Sequence, residues 1–162
     1  MIKSLNAYWE YPEAKEKGKV EHRVIEVCDA LFDIGAHPLS SCGGHLNYKF
    51  ESVFLNKILG GNRWAHRPFI MFFSSVEQAR TIDKLIHQVI LYPKSDSPKF
   101  TFNWHIKGHF MEDGELVWSI EPNDYRISTD SQWIEANPQH TFDLVHRDLK
   151  LIASLIKNSV ES

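Results

Sequence analysis

Three stretches of the chain repeat their apolar residues with the period of an α-helix. The first begins near residue 19 and meets stop signals at Gly35 and Pro38. The second follows Ser75, which stands three residues before Gln78 in a capping-box arrangement. The third runs from Phe142 to Ile156, and the tail NSVES after it is expected to fray. The pattern predicts three amphipathic helices, with the following apolar positions: Val20, Val24, Val27, Cys28, Leu31 and Ile34; Val76, Ala79, Ile82, Leu85, Ile86 and Val89; Phe142, Val145, Leu149, Ile152, Leu155 and Ile156.

Other stretches have the patterns of β-strands. Residues Leu5–Tyr11 and His45–Glu51 alternate polar and apolar side chains, so each predicts a half-buried strand. The run Pro68–Phe73 is continuously apolar, which is typical of a central strand covered on both faces. Gly43-Gly44 precedes the second strand as a tight turn, and we expect positive φ at one or both of these glycines.

A β-hairpin is predicted after residue 98, and its turn can be specified because the apolar faces of both strands must agree. A two-residue loop would set Phe110 opposite Val117 and bury only one apolar set. A three-residue loop with a left-handed Gly114 pairs Phe110 with Leu116 instead. The same register places Gly108 opposite Trp118, and the sequence therefore predicts the bulged loop.

Past Pro122 the chain has no stable period for about 18 residues, a length of loop that is uncommon in compact domains. The predicted order is strand, helix, strand, strand, helix, hairpin, helix. This order indicates an α+β fold in one domain over residues 1–162. We expect a mainly antiparallel or mixed sheet of about five strands, with three principal helices packed largely on one face.

Composition narrows the classes of function. The chain has 162 residues, of which 43% are hydrophobic and 24% charged, and a chain of this length can bury about 70% of its unfolded surface. A net charge of −3 provides no basic field for a nucleic acid or an anionic membrane. Without a signal-type apolar segment or a membrane span, the expected location is the cytoplasm. The two cysteines cannot form a disulfide scaffold, so both are expected to be thiols.

Cys42 and His45 are the sharpest candidates for chemistry. Cys-x2-His is a spacing at which two ligands can reach one zinc ion, and His37 and His66 are the candidates for the two further ligands that zinc needs. Cys42 could also act as a nucleophile with one of the nine histidines. The second half of a paired motif is missing, so the turn interpretation is preferred, with no metal or cofactor expected.

His105 and His109 have the spacing of an HxxxH motif, but they fall on a predicted strand. There they lie about 13 Å apart along the chain, too far for one metal ion without a bulge. If this strand and His45–Glu51 share a sheet, their polar sides form one surface on which histidines could polarise a carbonyl or bind an anion. The alternative is a water-facing side of a one-layer sheet.

Aromatic residues in predicted loops suggest a partner-binding surface. Trp64, Tyr125 and Trp133 fall outside the periodic core positions, and Asp130 and Glu135 flank Trp133. Aromatic residues of this kind often hold a protein partner. The alternative is that the rings fold back over the edge of the sheet.

These patterns favour a protein-binding domain, such as an immunity or inhibitor protein that neutralises a partner such as a toxin. The expected partner is therefore another protein, and neither nucleic acid nor a membrane. The alternative is a small enzyme or metal-binding protein that uses Cys42 and His45 together with His105 and His109. The incomplete catalytic set favours a role without catalysis, and no pattern indicates the partner, the substrate or the oligomeric state.

Overall fold

Helices and antiparallel strands make up the part of the chain that the computed structural model describes, residues 10–47, 63–127 and 138–160. Two short 3₁₀ turns, His22–Val24 and Tyr125–Ile127, accompany them. Within these ranges the helices are α1 (Tyr11–Glu16), α2 (Ile25–Asp33), α3 (Val76–Leu91) and α4 (Pro138–Asn158), and the strands are β1 (His37–Cys42), β2 (His45–Asn47), β3 (Arg63–His66), β4 (Phe69–Phe73), β5 (Trp104–Phe110) and β6 (Leu116–Pro122).

The strands of the described residues form two separate antiparallel sheets. One has four strands in the order β1-β4-β6-β5, and the other pairs β2 with β3. The α+β class is therefore confirmed, and Phe69–Phe73 is a central strand as predicted. A single sheet of about five strands is not what these residues form.

Strand β1 has no counterpart in the sequence prediction. Its residues, HPLSSC, include a proline and small polar side chains, which are poor strand formers. Pairing with β4 supplies the backbone hydrogen bonds that the local sequence does not indicate, and a bulge between Pro38 and Ser40 accommodates the irregularity. The strand therefore depends on its neighbour in the sheet.

The two faces of the four-stranded sheet differ in chemistry. One face carries Ile70, Phe72 and Ile120, which belong to the same buried core cluster as the apolar residues of α2, α3 and α4. Across the strands of the other face lie Cys42, Ser119 and His105, because the register pairs Cys42 with Phe69, Met71 with Ser119 and His105 with Glu121. Phe69, Met71 and Val117 lie on this second surface as well. We call it the polar face after its serine, histidine and carboxylate side chains.

The hairpin has the predicted register. Phe110 pairs with Leu116 and Gly108 with Trp118, and Gly114 has a φ of 84°. A side chain at position 108 would place its Cβ 3.3 Å from the ring of Trp118, so the ring occupies the space beside the glycine. The strand begins at Trp104 and not at residue 99.

The helix signals are confirmed at the start of α3 and at the end of α2. Ser75 Oγ accepts a hydrogen bond from Gln78 N at the start of α3, and Gly35 adopts a φ of 83° after α2. Helix α2 begins at Ile25, later than predicted, because a 3₁₀ turn precedes it.

Helix α1 occupies a segment that the sequence prediction treated as a connector, and it begins at Tyr11, the last residue of the predicted strand Leu5–Tyr11. The rest of that strand lies outside the described residues, as does Tyr48–Glu51. No helix of the described residues is both long enough and apolar enough to cross a membrane.

One buried carboxylate joins α4 to the segment that leads into β5. Asp148, 1% exposed, accepts hydrogen bonds from the backbone N–H groups of Thr101 and Phe102 and from Trp104 Nε1, each at 2.9 Å. Burial raises the pKa of Asp148, while the three donors stabilise its charged form. The carboxylate thus accepts from three N–H donors at the edge of the core.

We expect the substitution Asp148→Asn to lower the free energy of unfolding by about 1–3 kcal/mol, because the amide cannot accept all three hydrogen bonds and leaves a buried donor unpaired. Urea denaturation measures this difference. Asp96→Asn, in an exposed loop, is the matched control and should change stability by less than about 0.5 kcal/mol. Equal stability of the two variants would contradict this role of Asp148.

Candidate functional site

The turn between β1 and β2 is the centre of the candidate site. Cys42 ends β1, His45 begins β2, and Gly44 between them has a φ of 91°, so the prediction of positive φ in this turn is confirmed. The Gly44 N–H group donates a hydrogen bond to Cys42 Sγ at 3.3 Å. The turn therefore directs a backbone donor at the sulfur.

Three potential metal ligands converge at this turn. His45 Nε2 lies 2.8 Å from Glu21 Oε1, and Cys42 Sγ lies 3.9 Å from the same oxygen. The ligand atoms of all three residues lie within 4.8 Å of one another, and no other such group occurs among residues 10–47, 63–127 and 138–160. The sequence pattern found Cys42 and His45, and the structure adds a carboxylate.

Glu21 reaches the turn from the segment just before the 3₁₀ turn His22–Val24, which leads into α2. Its other oxygen, Oε2, accepts a hydrogen bond from Gly43 N at 2.6 Å. Glu21 is 21 residues from Cys42 in sequence, and a single glutamate before a helix is an ordinary pattern. Sequence reasoning missed it because only the packing of α2 against β1 brings the two together.

The space beside Gly43 is occupied by two side chains. Its φ lies outside the left-handed region, but a Cβ there would come within 2.7 Å of Glu21 Oε2 and 3.0 Å of Arg23 Nε. Such contacts are shorter than van der Waals packing allows. A side chain at position 43 would therefore displace either the carboxylate or the guanidinium.

The surroundings of the Cys42 thiol raise its pKa. Burial raises its pKa, and the negative charge of Glu21 raises it further, against the opposing effects of the Gly44 N–H group and Arg23. The metal-free thiol is therefore protonated at neutral pH, which disfavours nucleophilic catalysis. A bound metal ion would displace this proton and stabilise the thiolate.

Of the other two histidines considered as ligands, one is close in the fold and one is not. His66 pairs with His45 between β2 and β3. His37 begins β1, five residues from Cys42 and about 16 Å away along the strand, and its ring meets that of Phe32 edge-on. The prediction of His37 as a ligand is therefore wrong, because the length of the extended strand β1 separates this residue from Cys42.

His105 and His109 lie on a strand, as predicted, and both approach Glu121. His105 Nε2 is 3.3 Å from one carboxylate oxygen and His109 Nε2 is 3.9 Å from the other, while Arg67 Nη2 is 3.7 Å from the first. The two imidazoles do not converge with Glu121 closely enough to form a metal-binding group. Three basic side chains instead surround one carboxylate as an ion-pair cluster.

This cluster shares the polar face with Cys42. The register separates Cys42 from Glu121 by two strand spacings, about 10 Å, so His105 does not contact the Cys42–His45 turn. Val117 and Ser119 on this face are fully buried. Part of this face is therefore covered. The condition for one histidine surface shared by the two predicted strands is not met, because β2 and β5 belong to different sheets.

Two residues of the predicted partner-binding surface, Tyr125 and Trp64, lie in the described part of the chain. Tyr125 lies in a 3₁₀ turn and is 79% exposed. The prediction that Trp64 lies in a loop is wrong, because this residue belongs to β3, which pairs with β2. Asp130, Trp133 and Glu135 lie outside the described residues, so their part of the surface stays a prediction.

We expect Cys42 in metal-free protein to react with iodoacetamide more slowly than glutathione at pH 7.5, because its raised pKa leaves little thiolate. Cys28 should not react in the native protein, because it is buried and its pKa is raised to about 12. Peptide mass spectrometry separates the two sites. A Cys42 rate above that of glutathione would instead support a nucleophilic role.

Comparison with known proteins adds no relative to this picture. No protein-family model, no curated protein and no solved structure matches the chain. The features of this chain that bear on its function are therefore the convergence of Glu21, Cys42 and His45 and the exposed ring of Tyr125.

Proposed function

We propose that this protein binds a zinc ion through Glu21, Cys42 and His45 at the turn between β1 and β2. The observation that carries the proposal is the convergence of their ligand atoms within 4.8 Å. Sulfur, imidazole nitrogen and carboxylate oxygen are the donors that zinc takes in proteins. A thiolate also disfavours magnesium and calcium, which prefer oxygen ligands alone.

The charge of the ligand set suits a divalent ion. The carboxylate of Glu21 and the thiolate of Cys42 together carry two negative charges, which a zinc ion neutralises. Without the ion these two groups would repel each other at 3.9 Å, and protonation of the thiol relieves that repulsion. Metal and proton therefore compete for Cys42, and affinity should fall as pH falls.

The number of protein ligands decides the kind of zinc site. Zinc is usually four-coordinate, so the three residues leave one position. If His66, which pairs with His45 across the small sheet, supplies a fourth ligand, the site is closed and structural. If a water molecule takes that position, the site can polarise a substrate or generate a nucleophile.

Zinc titration against a chromophoric chelator tests the proposal. We expect tight one-to-one binding by the wild-type protein and losses of at least about 100-fold in Cys42→Ala and His45→Ala, since changes in outer-shell residues alone cost about 10–100-fold. His37→Ala is the matched control, because it removes a histidine from β1 but outside the site. Binding that survives loss of Cys42, or that depends equally on His37, would contradict the proposal.

The variant His66→Ala separates the closed site from the open one. A loss of affinity as large as that of His45→Ala indicates a fourth protein ligand. Unchanged affinity indicates an exchangeable position, which absorption spectra of the cobalt-substituted protein would show by changing when small anions are added.

We also propose, as a second candidate, that the surface around Tyr125 binds another protein, as an immunity or inhibitor protein does. The supporting observation is the 79% exposure of this tyrosine at the end of the hairpin. An exposed aromatic ring can provide large contact area at little conformational cost.

Affinity capture from extract of the native cell tests this second candidate. Tyr125→Ala should retain at most a tenth of the partner that the wild type retains. Tyr92→Ala, where the tyrosine is 74% exposed at the end of α3, is the matched control and should retain it all. Equal retention by the two variants would exclude Tyr125 from the surface.

A further inference from the structure

We propose that Arg23 is the positioning residue of the zinc site: it holds the turn between β1 and β2 in the conformation that brings Cys42 and His45 to Glu21. This inference rests on the proposed zinc binding. Arg23 contributes no ligand atom, and its role is to orient the groups that do.

The contacts of Arg23 with the turn are the first support. Its Nη2 atom donates a hydrogen bond to the carbonyl oxygen of Gly44 at 3.1 Å. That carbonyl belongs to the residue with a φ of 91°, whose N–H group donates to Cys42 Sγ. One peptide unit further, His45 begins β2. The guanidinium therefore holds the residue that joins the two ligands.

The space beside Gly43 is the second support. Both the Nε and the Cβ atoms of Arg23 lie close to this glycine, at 3.0 Å and 3.2 Å from where its own Cβ would be. Glu21 Oε2 occupies the same space and accepts from Gly43 N. Arg23 and Glu21 thus enclose the turn from the same segment of chain.

The third support is a contact that fixes the guanidinium itself. Arg23 Cζ lies 4.2 Å above the centre of the Phe142 ring on α4, a cation–π geometry. A flexible arginine would lose much side-chain entropy on holding one carbonyl. The contact with the ring restricts the conformations of the Arg23 side chain and so lowers the entropy cost of its hydrogen bond to Gly44. The C-terminal helix therefore helps to position the turn.

Zinc affinity of full-length variants tests the inference, measured by chelator competition at a temperature where circular dichroism shows every variant to be folded. We expect Arg23→Gln to weaken zinc binding 10–100-fold, the usual effect of losing an outer-shell partner. Arg23→Lys should recover part of the loss, because its ammonium keeps a donor for the Gly44 carbonyl but not the planar group that stacks on Phe142. Phe142→Leu should weaken binding about twofold to tenfold.

Arg80→Gln is the matched control, because Arg80 is an exposed arginine paired with Glu77 on α3. It should bind zinc within twofold of wild type. The cobalt-substituted protein gives a second readout: Arg23→Gln should change the ligand-field spectrum, and Arg80→Gln should not. A purely structural role of Arg23 would lower the melting temperature and leave both the affinity and the spectrum unchanged.

The outcomes separate this inference from the function on which it rests. If the wild type binds zinc and Arg23→Gln binds it as tightly with the same cobalt spectrum, the role of Arg23 is overturned and the zinc site stands. If the wild type binds no zinc, the proposed function fails, and the role of Arg23 fails with it.

Discussion

The buried carboxylate of Asp148 is the interaction on which the arrangement of this fold depends. Asp148 lies on α4 and accepts hydrogen bonds from residues 44 to 47 positions earlier in the chain. Two of these residues, Thr101 and Phe102, lie just before β5. The same oxygen that meets Phe102 satisfies the indole of fully buried Trp104. Three directed hydrogen bonds fix the position of α4 more closely than apolar packing alone, so the carboxylate makes this docking of α4 specific.

The position of α4 also bears on the candidate metal site. This helix contacts α2 and the 3₁₀ turn that carries Arg23, and its Phe142 ring lies under the guanidinium. From there a hydrogen bond reaches Gly44 and the turn that holds Cys42 and His45. An uninterrupted series of contacts therefore connects the core carboxylate, the last helix and the proposed zinc ligands.

The location of the candidate site follows from the sheet. Strand β1 is at an edge, so the turn after Cys42 can depart into a second small sheet without breaking the central pairing. On the polar face, Arg67, His105 and His109 surround the carboxylate of Glu121 without converging on one point. At the edge, the ligand atoms of Glu21, Cys42 and His45 lie within 4.8 Å of one another. This difference in convergence favours a cation at the edge and not at the centre.

The sequence by itself determined the features that depend on neighbouring residues: the cap at Ser75, the left-handed glycines at 35, 44 and 114, and the hairpin register. Each follows from backbone sterics or from a period of two or 3.6 residues, which operate over a few positions. Strand β1, the approach of Glu21 to Cys42 and the bonds of Asp148 were decided by tertiary structure alone. They join residues 21 to 47 positions apart, where helix packing and sheet pairing determine which side chains meet, and no local pattern encodes those distances.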